Sequence, residues 1–298
     1  MKRLITNLLV IGALGMGVTT FLSSKPVAAA DEQQTVLQAD HALIEALGKA
    51  DQKAVSALLD EGFEWTDVEG KTQNKKEALQ SLAALAKDSE GDTDVKIHSY
   101  GQLDIVFGFH HGARFSRIWV KRSPGWRAFI YLNTPVPKIA AAAAPGMGTP
   151  GSTADCDNPC RTLPFTPKTA ADKAVLAEWQ KTKVDEWHPN AADWPTHVAD
   201  DFLMINDRSE RTKAERVAVA KKQQEAGASA PGDPVLSMSM SDFGSAVVMI
   251  SRHAPYRGGK PYYNARVFIN VDGHWPIAWS QQTTIQNAPP IPAVTDPK

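Results

Sequence analysis

The stretch ARFSRIWVKRSPGWRAFIYLN, residues 113–133, returns in altered form as YYNARVFINVDGHWPIAWSQQ, residues 262–282. In both stretches an Arg precedes an aromatic residue by two positions and a Trp by nine. A Pro-Gly step in the first stretch and an Asp-Gly step in the second supply the backbone angles of a tight turn shortly before that Trp. The repeated phrase therefore predicts one antiparallel hairpin, built twice in the chain.

Alternation within each hairpin predicts two faces. Because successive side chains of a strand point to opposite sides, Arg117 and Trp119 share one face and Ile118 lies on the other. In the second copy the matching polar-aromatic pair is Arg266 and Phe268. The two Arg–aromatic pairs are therefore candidates for a site, and the opposite face is a candidate for packing.

The repeated Trp opens the last strand of each hairpin. Alternate positions after Trp126 are all apolar, and those after Trp275 are apolar as far as Trp279. The pattern predicts that Trp126 and Trp275 lie in the hydrophobic core, on the same face as the residues that follow them at alternate positions.

The order of elements also repeats around the hairpins. Residues 31–137 and 168–288 each begin with a helical pattern, pass through an aromatic strand start (DEGFEW, ADDFLM) and continue into a second helix and a run of strands. Asn74 with Glu77, and Thr212 with Glu215, are capping-box patterns at the start of that second helix. The sequence therefore predicts two domains of one kind, each with helices followed by an antiparallel sheet.

The two ends and the middle of the chain differ from these segments. Residues 1–30 combine MKR, an apolar stretch and an A-x-A site before Asp31, which is typical of a cleaved signal peptide, with a membrane anchor as the alternative. Cleavage predicts a periplasmic or secreted protein that is free of the membrane. Residues 138–167 are rich in Ala, Pro and Gly and predict a linker, and residues 289–298 predict a Pro-rich tail.

Two cysteines, Cys156 and Cys160, lie in the segment CDNPC. An oxidising compartment favours a disulfide that closes this short loop, with free thiols or a functional pair as alternatives. His110, His111 and His253 follow predicted strands and are interpreted as loop histidines, so no metal site is expected. Net charge is −1, and neither a phosphate loop nor a G-x-S-x-G motif is present, so no nucleic-acid partner and no cofactor are predicted.

The element order, together with RFSRIWVKRSPGW, resembles the nuclear transport factor 2-like (NTF2-like) superfamily, and within it the DUF4440 family, near the SnoaL-like and ketosteroid isomerase-like groups. The resemblance covers nearly all of both segments. It implies an α+β fold of two tandem cone-shaped domains, each a curved antiparallel sheet wrapped on N-terminal helices with a pocket at its open end. This fold hosts isomerases, dehydratases and plain binding modules, so it assigns no activity by itself.

The resemblance also implies that a polar residue near the end of the last strand points toward the pocket. Asn133 and Gln281 occupy that region, and amides can bind a ligand but do not act as ordinary acids or bases. Isomerase-like members use a Tyr and two acids, a pattern that does not transfer residue by residue. Asp67, Asp104 and Asp207 are interpreted as turn or strand-end acids.

Two readings of the repeated Arg stay open. Arg117 and Arg266 are either pocket cations suited to the carboxylate of an apolar ligand or strand residues on a solvated sheet face. The candidate ligand-binding residues are Trp65, Arg117, Trp119, Tyr131, Asn133, Arg266, Phe268 and Gln281.

Two functions follow from these residues. The first is an exported tandem protein that binds a small, partly apolar ligand, including an anionic one, or that mediates domain association, with the two copies packed as a pseudo-dimer. The alternative is an enzyme of the lyase or isomerase type that works in one cone.

Overall fold

The computed structural model describes residues 27–123, 125–136 and 149–293, with the side chains of residues 27–30 and Thr149 left out. Apart from the backbone of residues 27–30, the predicted export signal lies outside the described residues, as do residue 137 of the first predicted domain, residues 138–148 of the predicted linker and the last five residues of the tail. No helix in the described ranges combines the length and the apolar character that crossing a membrane requires.

In the first half of the chain, the described residues form four helices and six strands. The helices are α1 (Val27–Gly48), α2 (Gln52–Leu58), α3 (Lys75–Gln80) and α4 (Leu82–Lys87). The strands are β1 (Leu59–Thr66), β2 (Thr72–Asn74), β3 (Thr93–Ser99), β4 (Leu103–His110), β5 (Ala113–Arg122) and β6 (Gly125–Pro135). The predicted capping box is present at α3, where Asn74 accepts from the Glu77 backbone and Glu77 accepts from that of Asn74.

The second half repeats this plan. A two-stranded sheet of β7 (Thr149–Pro150) and β10 (Ala228–Ser229) accompanies the helices α5 (Ala170–Trp187) and α6 (Lys213–Glu225) and a 3₁₀ turn, Trp194–His197. The main strands are β8 (Val198–Ile205), β9 (Glu210–Thr212), β11 (Val235–Asp242), β12 (Ala246–His253), β13 (Tyr262–Ile269) and β14 (Ile277–Thr284). The second predicted capping box, Thr212 with Glu215, is also formed.

The two sheets have the same topology. The strand order is β2-β1-β6-β5-β4-β3 in the first and β9-β8-β14-β13-β12-β11 in the second. Among the described strands, the one parallel pair of each sheet joins the first long strand to the last, β1 with β6 and β8 with β14. The fold is α+β, and the two halves share one topology, as the sequence predicts.

A bulge in the last strand changes the predicted faces. Opposite β5, residue Ile118 pairs with Ile130 and Trp119 pairs with Ala128, so Phe129 is an extra residue in β6. An extra residue shifts the alternation by one, which moves every later side chain to the other face. Trp126 and Ala128 therefore lie beneath the helices, and Ile130 lies on the opposite face.

The same irregularity occurs in the second half. Val267 pairs with Trp279 and Phe268 with Ile277, which leaves Ala278 as the extra residue of β14. Trp275 lies beneath α5 as predicted, but Trp279 does not share its face. The expectation that alternate residues after each Trp share one face is wrong beyond the bulge, while the buried position of both Trp is as expected.

The sheet faces that point away from the helices pack against each other and join the two halves. One apolar cluster contains residues of both sheets: Leu103, Ile105, Phe107, Ile118, Val120, Phe129, Ile130, Leu132, Leu203, Ile205, Phe243, Ala246, Val248, Tyr263, Ala265, Val267 and Trp279. Polar contacts surround it, among them Tyr263 Oη donating to Glu64 at 3.1 Å and Arg114 Nε donating to Glu210 at 3.0 Å. Gly70 (φ 75°) of the first half lies close to the end of β14 in the second half, and a Cβ at this position would come within 2.5 Å of the Thr284 carbonyl oxygen.

The described part of the predicted linker, residues 149–167, lies against the second half. Cys156 and Cys160 form a disulfide, and both are buried. The Asn158 side chain donates to the Val235 carbonyl at 2.9 Å, and Trp187 Nε1 donates to the Ala154 carbonyl at 2.9 Å. These bonds attach the disulfide loop to α5 and β11, although its composition predicts no such packing.

Candidate functional site

Each half encloses a cone between its helices and the concave face of its sheet. We call the space beneath α1–α4 the first cone and the space beneath α5 and α6 the second cone. Two depressions of about 430 and 260 Å³ lie on the outside of the first half, around α1–α3. Inside each cone the site is defined by its side chains.

Arg117 lies at the centre of the first cone and is fully buried. It donates to both oxygens of Asp40, at 2.7 and 2.9 Å, and it also donates to Asp92. Trp119 Nε1 donates to the same Asp40 carboxylate at 3.0 Å. Burial on its own lowers the pKa of Arg117, but the neighbouring carboxylates outweigh it and raise that pKa above its ordinary value. The first cone thus contains a charged Arg with two anionic partners.

A chain of hydrogen bonds continues from Asp92. His110 places Nδ1 at 3.1 Å from Asp92 and Nε2 at 3.0 Å from the side-chain oxygen of Asn133. Asn133 donates to the Asp88 carboxylate at 3.3 Å, and Tyr131 donates to the Asp88 carbonyl at 2.6 Å. The polar side chains of the first cone therefore form a hydrogen-bond network with one another.

The acids of this chain have shifted pKa values. Burial raises the pKa of Asp92, but the bond from His110 and the charge of Arg117 outweigh burial and hold that pKa below its ordinary value. The pKa of Asp88 is raised, first by burial and then by the nearby charge of Asp67. A carboxylate with a lowered pKa is a weak base, so Asp92 is poorly suited to abstract a proton.

Arg266 occupies in the second cone the place that Arg117 has in the first. Its exposed fraction is only 5%. Its Nη1 donates to Ser251 Oγ at 3.0 Å and to His253 Nε2 at 3.4 Å, and its guanidinium lies 5.1 Å from the centre of the Trp179 ring. Among the described residues no carboxylate oxygen comes within 4.0 Å of it, and burial lowers its pKa.

Two further cations lie close to Arg266. Lys183 Nζ is 2.6 Å from the Glu186 carboxylate, and Arg216 Nη2 is 3.3 Å from the same group. Burial lowers the pKa of Lys183, and the repulsion from Arg266 and Arg216 adds to that effect. Lys183 and Arg216 outweigh the effect of burial on Glu186 and lower its pKa to about 2. Lys183 and Arg216 thus share one carboxylate, and Arg266 acts on it only from beyond 4.0 Å.

The remaining polar residues around Arg266 are neutral or paired elsewhere. His253 Nδ1 faces the Asp233 carbonyl at 3.1 Å and must carry the proton there, so its Nε2 accepts from Arg266. Burial, followed by the charge of Arg266, holds the pKa of His253 well below its ordinary value. Tyr262 stacks on His253 with ring centres 4.8 Å apart and donates to Asp233 at 2.9 Å. Asp233 influences Arg266 only at longer range.

Some polar atoms of the second cone have no described partner. Arg216 Nε and the side-chain oxygen of Asn264 are buried without a hydrogen bond to any described residue. Asn264 lies two residues before Arg266 on the same face of β13. In the first cone, Arg117 Nη1 and Trp65 Nε1 are in the same condition. Buried groups of this kind call for an explanation such as a bound molecule or water.

The predicted site residues fall into three groups. Trp65, Trp119, Tyr131 and Asn133 surround Arg117 in the first cone, and Phe268 lies with Arg266 in the second. Gln281 is in neither cone, since it lies between the sheets and donates to the Leu132 carbonyl at 3.2 Å. Phe115 and Asn264 each lie two residues before the repeated Arg, and they pair with Asn133 and Gln282. Gln282 is therefore the equivalent of Asn133, and the bulge places Gln281 on the opposite face of the sheet.

Sequence reasoning missed most partners of the two Arg residues. Asp40 lies in the apolar stripe of α1 between Val36 and Leu43, and Lys183 and Glu186 continue the buried side of α5. A charged residue within an apolar stripe was the available signal. His110 and His253 are not exposed loop residues but are 4% and 2% exposed, since they end strands on the concave faces.

The comparisons with known proteins concern the fold alone. No family model and no curated protein matches the chain. Many solved structures do match. An NTF2-like protein with a cystatin-like fold from Novosphingobium aromaticivorans is 20% identical, covers 44% of this chain and 97% of its own, and has a TM-score of 0.31.

Two more NTF2-like proteins show the same extent of similarity. The one from Cytophaga hutchinsonii is 16% identical over 40% of this chain and 100% of its own, with a TM-score of 0.29. The one from Rhodospirillum rubrum is 19% identical over 34% of this chain and 98% of its own, with a TM-score of 0.28. Each of these matches covers less than half of this chain and nearly all of the other protein, and none of them assigns an activity to this chain.

Proposed function

We propose that the second cone binds a small organic anion with an apolar body. The observation that carries this proposal is the charge of the cone. Among the described residues, Lys183 and Arg216 share the Glu186 carboxylate and Arg266 has no carboxylate oxygen within 4.0 Å, which leaves an excess of two positive charges. Counting the more distant Asp233 still leaves an excess of one. Buried charges are normally paired, so an anion would supply the missing partner.

The surroundings of these cations suit an apolar body. The Trp179 ring centre lies 5.1 Å from the Arg266 guanidinium and 5.6 Å from Lys183 Nζ, so both cations lie over the same aromatic ring. Phe268 and Met249 line the interior next to it and are fully buried. The tips of Lys183 and Glu186 keep about 14–16% of their side-chain area exposed and mark where solvent reaches the cone.

The available hydrogen-bond donors define which end of the ligand is recognised. His253 Nε2 is already an acceptor for Arg266, so it offers no proton to a ligand. Arg216 Nε is a buried donor without a described partner, and Lys183 Nζ has further protons beyond the one it donates to Glu186. Arg266 uses Nη1 for Ser251 and His253. Guanidinium groups bind carboxylates in paired, charge-assisted hydrogen bonds. A carboxylate is therefore the favoured head group.

Binding is favoured over proton transfer. The carboxylate of the second cone, Glu186, has a pKa lowered to about 2 and is a poor base. His253 is neutral and has both ring nitrogens occupied by hydrogen bonds. The arrangement offers charge complementarity without a free general base beside it.

We further propose that the protein works outside the cytoplasm. The basis is the signal-peptide pattern of residues 1–30 together with the disulfide between Cys156 and Cys160. Mass spectrometry of the protein recovered from the periplasm or medium should find a chain that begins at or near Asp31. A chain that retains Met1 and stays in the membrane fraction would contradict export.

Calorimetric titration tests the binding proposal. Acetate, benzoate and decanoate are compared with benzamide, which keeps the ring of benzoate and removes its charge. We expect benzoate or decanoate to bind at least tenfold more tightly than benzamide. A tenfold difference in affinity corresponds to roughly the free energy of one charge-assisted hydrogen bond. Arg266→Gln should lose that difference, and Arg252→Gln, at an exposed position on the neighbouring strand, should keep it. Absence of binding of all three carboxylates at about 1 mM, or equal binding of benzoate and benzamide, would refute the proposal.

A further inference from the structure

We propose that Glu178, His197 and His274 form a binding site for a divalent transition metal ion, with Zn²⁺ as the best fit, outside the second cone. One ligand atom from each residue lies within 4.8 Å of the others. Glu178 Oε1 is 2.5 Å from His197 Nδ1 and 2.9 Å from His274 Nε2. Two imidazoles and one carboxylate are a ligand set that Zn²⁺ uses, with a fourth position left for water.

Three separate elements bring these residues together. Glu178 lies in the middle of α5, His197 ends the 3₁₀ turn before β8, and His274 lies in the turn between β13 and β14. Glu178 and His197 have side chains that are 8% and 13% exposed, while His274 is 43% exposed. An ion could therefore enter from the side of His274 and connect the helix to the sheet.

A second carboxylate lies behind His197. Asp185 Oδ2 is 3.3 Å from His197 Nε2, and this oxygen is buried without a hydrogen bond to any described residue. Asp185 follows Glu178 by seven residues, two helical turns, so both lie on one side of α5. A carboxylate on the far nitrogen of a metal-bound His fixes the ring and strengthens it as a ligand. Here it leaves Nδ1 free to face the ion.

The spacing also permits a simpler arrangement, in which Glu178 accepts hydrogen bonds from both His rings. Ligand atoms at about 2.0–2.2 Å from a tetrahedral ion are about 3.3 Å apart, so the ion requires Glu178 Oε1 to move away from each ring by less than about 1 Å. His274 lies in an exposed turn and can adjust its own distance from Glu178, whereas the larger change at His197 requires the Glu178 side chain to rotate. Lys181, whose Nζ is 3.4 Å from Glu178 Oε2, is 63% exposed and can turn into solvent.

Zn²⁺ titration of the untagged, chelator-treated protein, in competition with a chromophoric chelator, distinguishes the two arrangements. We expect one equivalent of Zn²⁺ to bind, and a tetrahedral visible spectrum when Co²⁺ replaces it. At 100-fold excess over the dissociation constant, Tm should rise by about 5 °C. Binding should weaken by more than about 100-fold in His274→Ala and Glu178→Gln, and by about 10–100-fold in Asp185→Asn.

The control is His41→Ala, which removes an exposed His of the first half and should leave Zn²⁺ affinity unchanged. His274→Ala is the decisive variant because its exposed side chain can be removed without unfolding, as circular dichroism would verify. Zn²⁺ binding that is equally tight in His274→Ala, or no stoichiometric Zn²⁺ binding by the parent protein, would overturn the proposal. Glu178 would then only accept hydrogen bonds from His197 and His274.

Discussion

The two cones have the same topology and place an Arg at the same register, yet the surroundings of that Arg differ. The helix residue against Arg117 is Asp40, whereas the helix residue against Arg266 is Trp179. Arg117 meets two carboxylates, and Arg266 meets a hydroxyl, a neutral imidazole and an aromatic face. A repeated residue in a repeated fold therefore has two electrostatic roles: a closed ion pair in one half and an unpaired buried charge in the other.

The largest effect should come from removing the paired Arg. Arg117→Met leaves Asp40 and Asp92 buried without their cation and should lower the free energy of unfolding by about 3–5 kcal/mol. Arg266→Met removes a buried charge that has no anionic partner and should change stability by less than about 1 kcal/mol. Urea unfolding of both variants measures the difference. Equal losses would show that the two Arg residues have the same role.

The repeated Trp residues should behave alike, in contrast to the Arg residues. Trp126 and Trp275 are 5% and 7% exposed, and each packs beneath the helices of its own half. Trp126→Ala and Trp275→Ala should each cost about 3 kcal/mol, because both empty an aromatic core position. A loss below about 1 kcal/mol in either variant, in the same urea experiment, would remove that Trp from the core.

A smaller effect on the free energy of unfolding, one that depends on pH, should come from the buried Asp104 of the first half. Burial raises the pKa of Asp104 from 3.8 to about 6, so the folded protein gains a proton there before the unfolded chain does. The charged carboxylate destabilises the fold above pH 6, and the penalty disappears below pH 4. Asp104→Asn should therefore stabilise by about 2 kcal/mol at pH 8 and by almost nothing at pH 4.

Glu90→Gln is the matched control for that measurement, since Glu90 is exposed. It should leave the pH dependence of unfolding as it is in the parent protein. A stabilisation by Asp104→Asn that is the same at pH 4 and pH 8 would mean that the charge of Asp104 is not its cause.

Much of the fold could be predicted from local signals. The hairpins, both capping boxes, the paired strand starts at Phe63 and Phe202, and the burial of the repeated Trp all depend on residues close together in the chain. Such signals are carried by turn geometry and by the alternation of side chains. The bulges at Phe129 and Ala278 could not be predicted, because nothing in the local pattern shows which residue is the extra one.

The candidate site was less predictable because its partners come from distant elements. Arg117 and Arg266 were identified as a pair, but the choice between ion pair and unpaired cation depends on Asp40, 77 residues before Arg117, and on Lys183 and Glu186 in α5. Gln281 was assigned to a pocket and lies between the sheets, since the bulge shifts its face. Local alternation fixes the direction of a side chain but not what it meets.

The most direct test of the difference between the cones is hydrogen–deuterium exchange with and without saturating benzoate. Binding in the second cone predicts slower exchange in peptides from α5 and β13, which carry Lys183 and Arg266, and unchanged exchange in α1 and β5, which carry Asp40 and Arg117. Protection confined to α1 and β5, or no protection in α5 and β13 at saturation, would contradict the assignment of the anion site to the second cone.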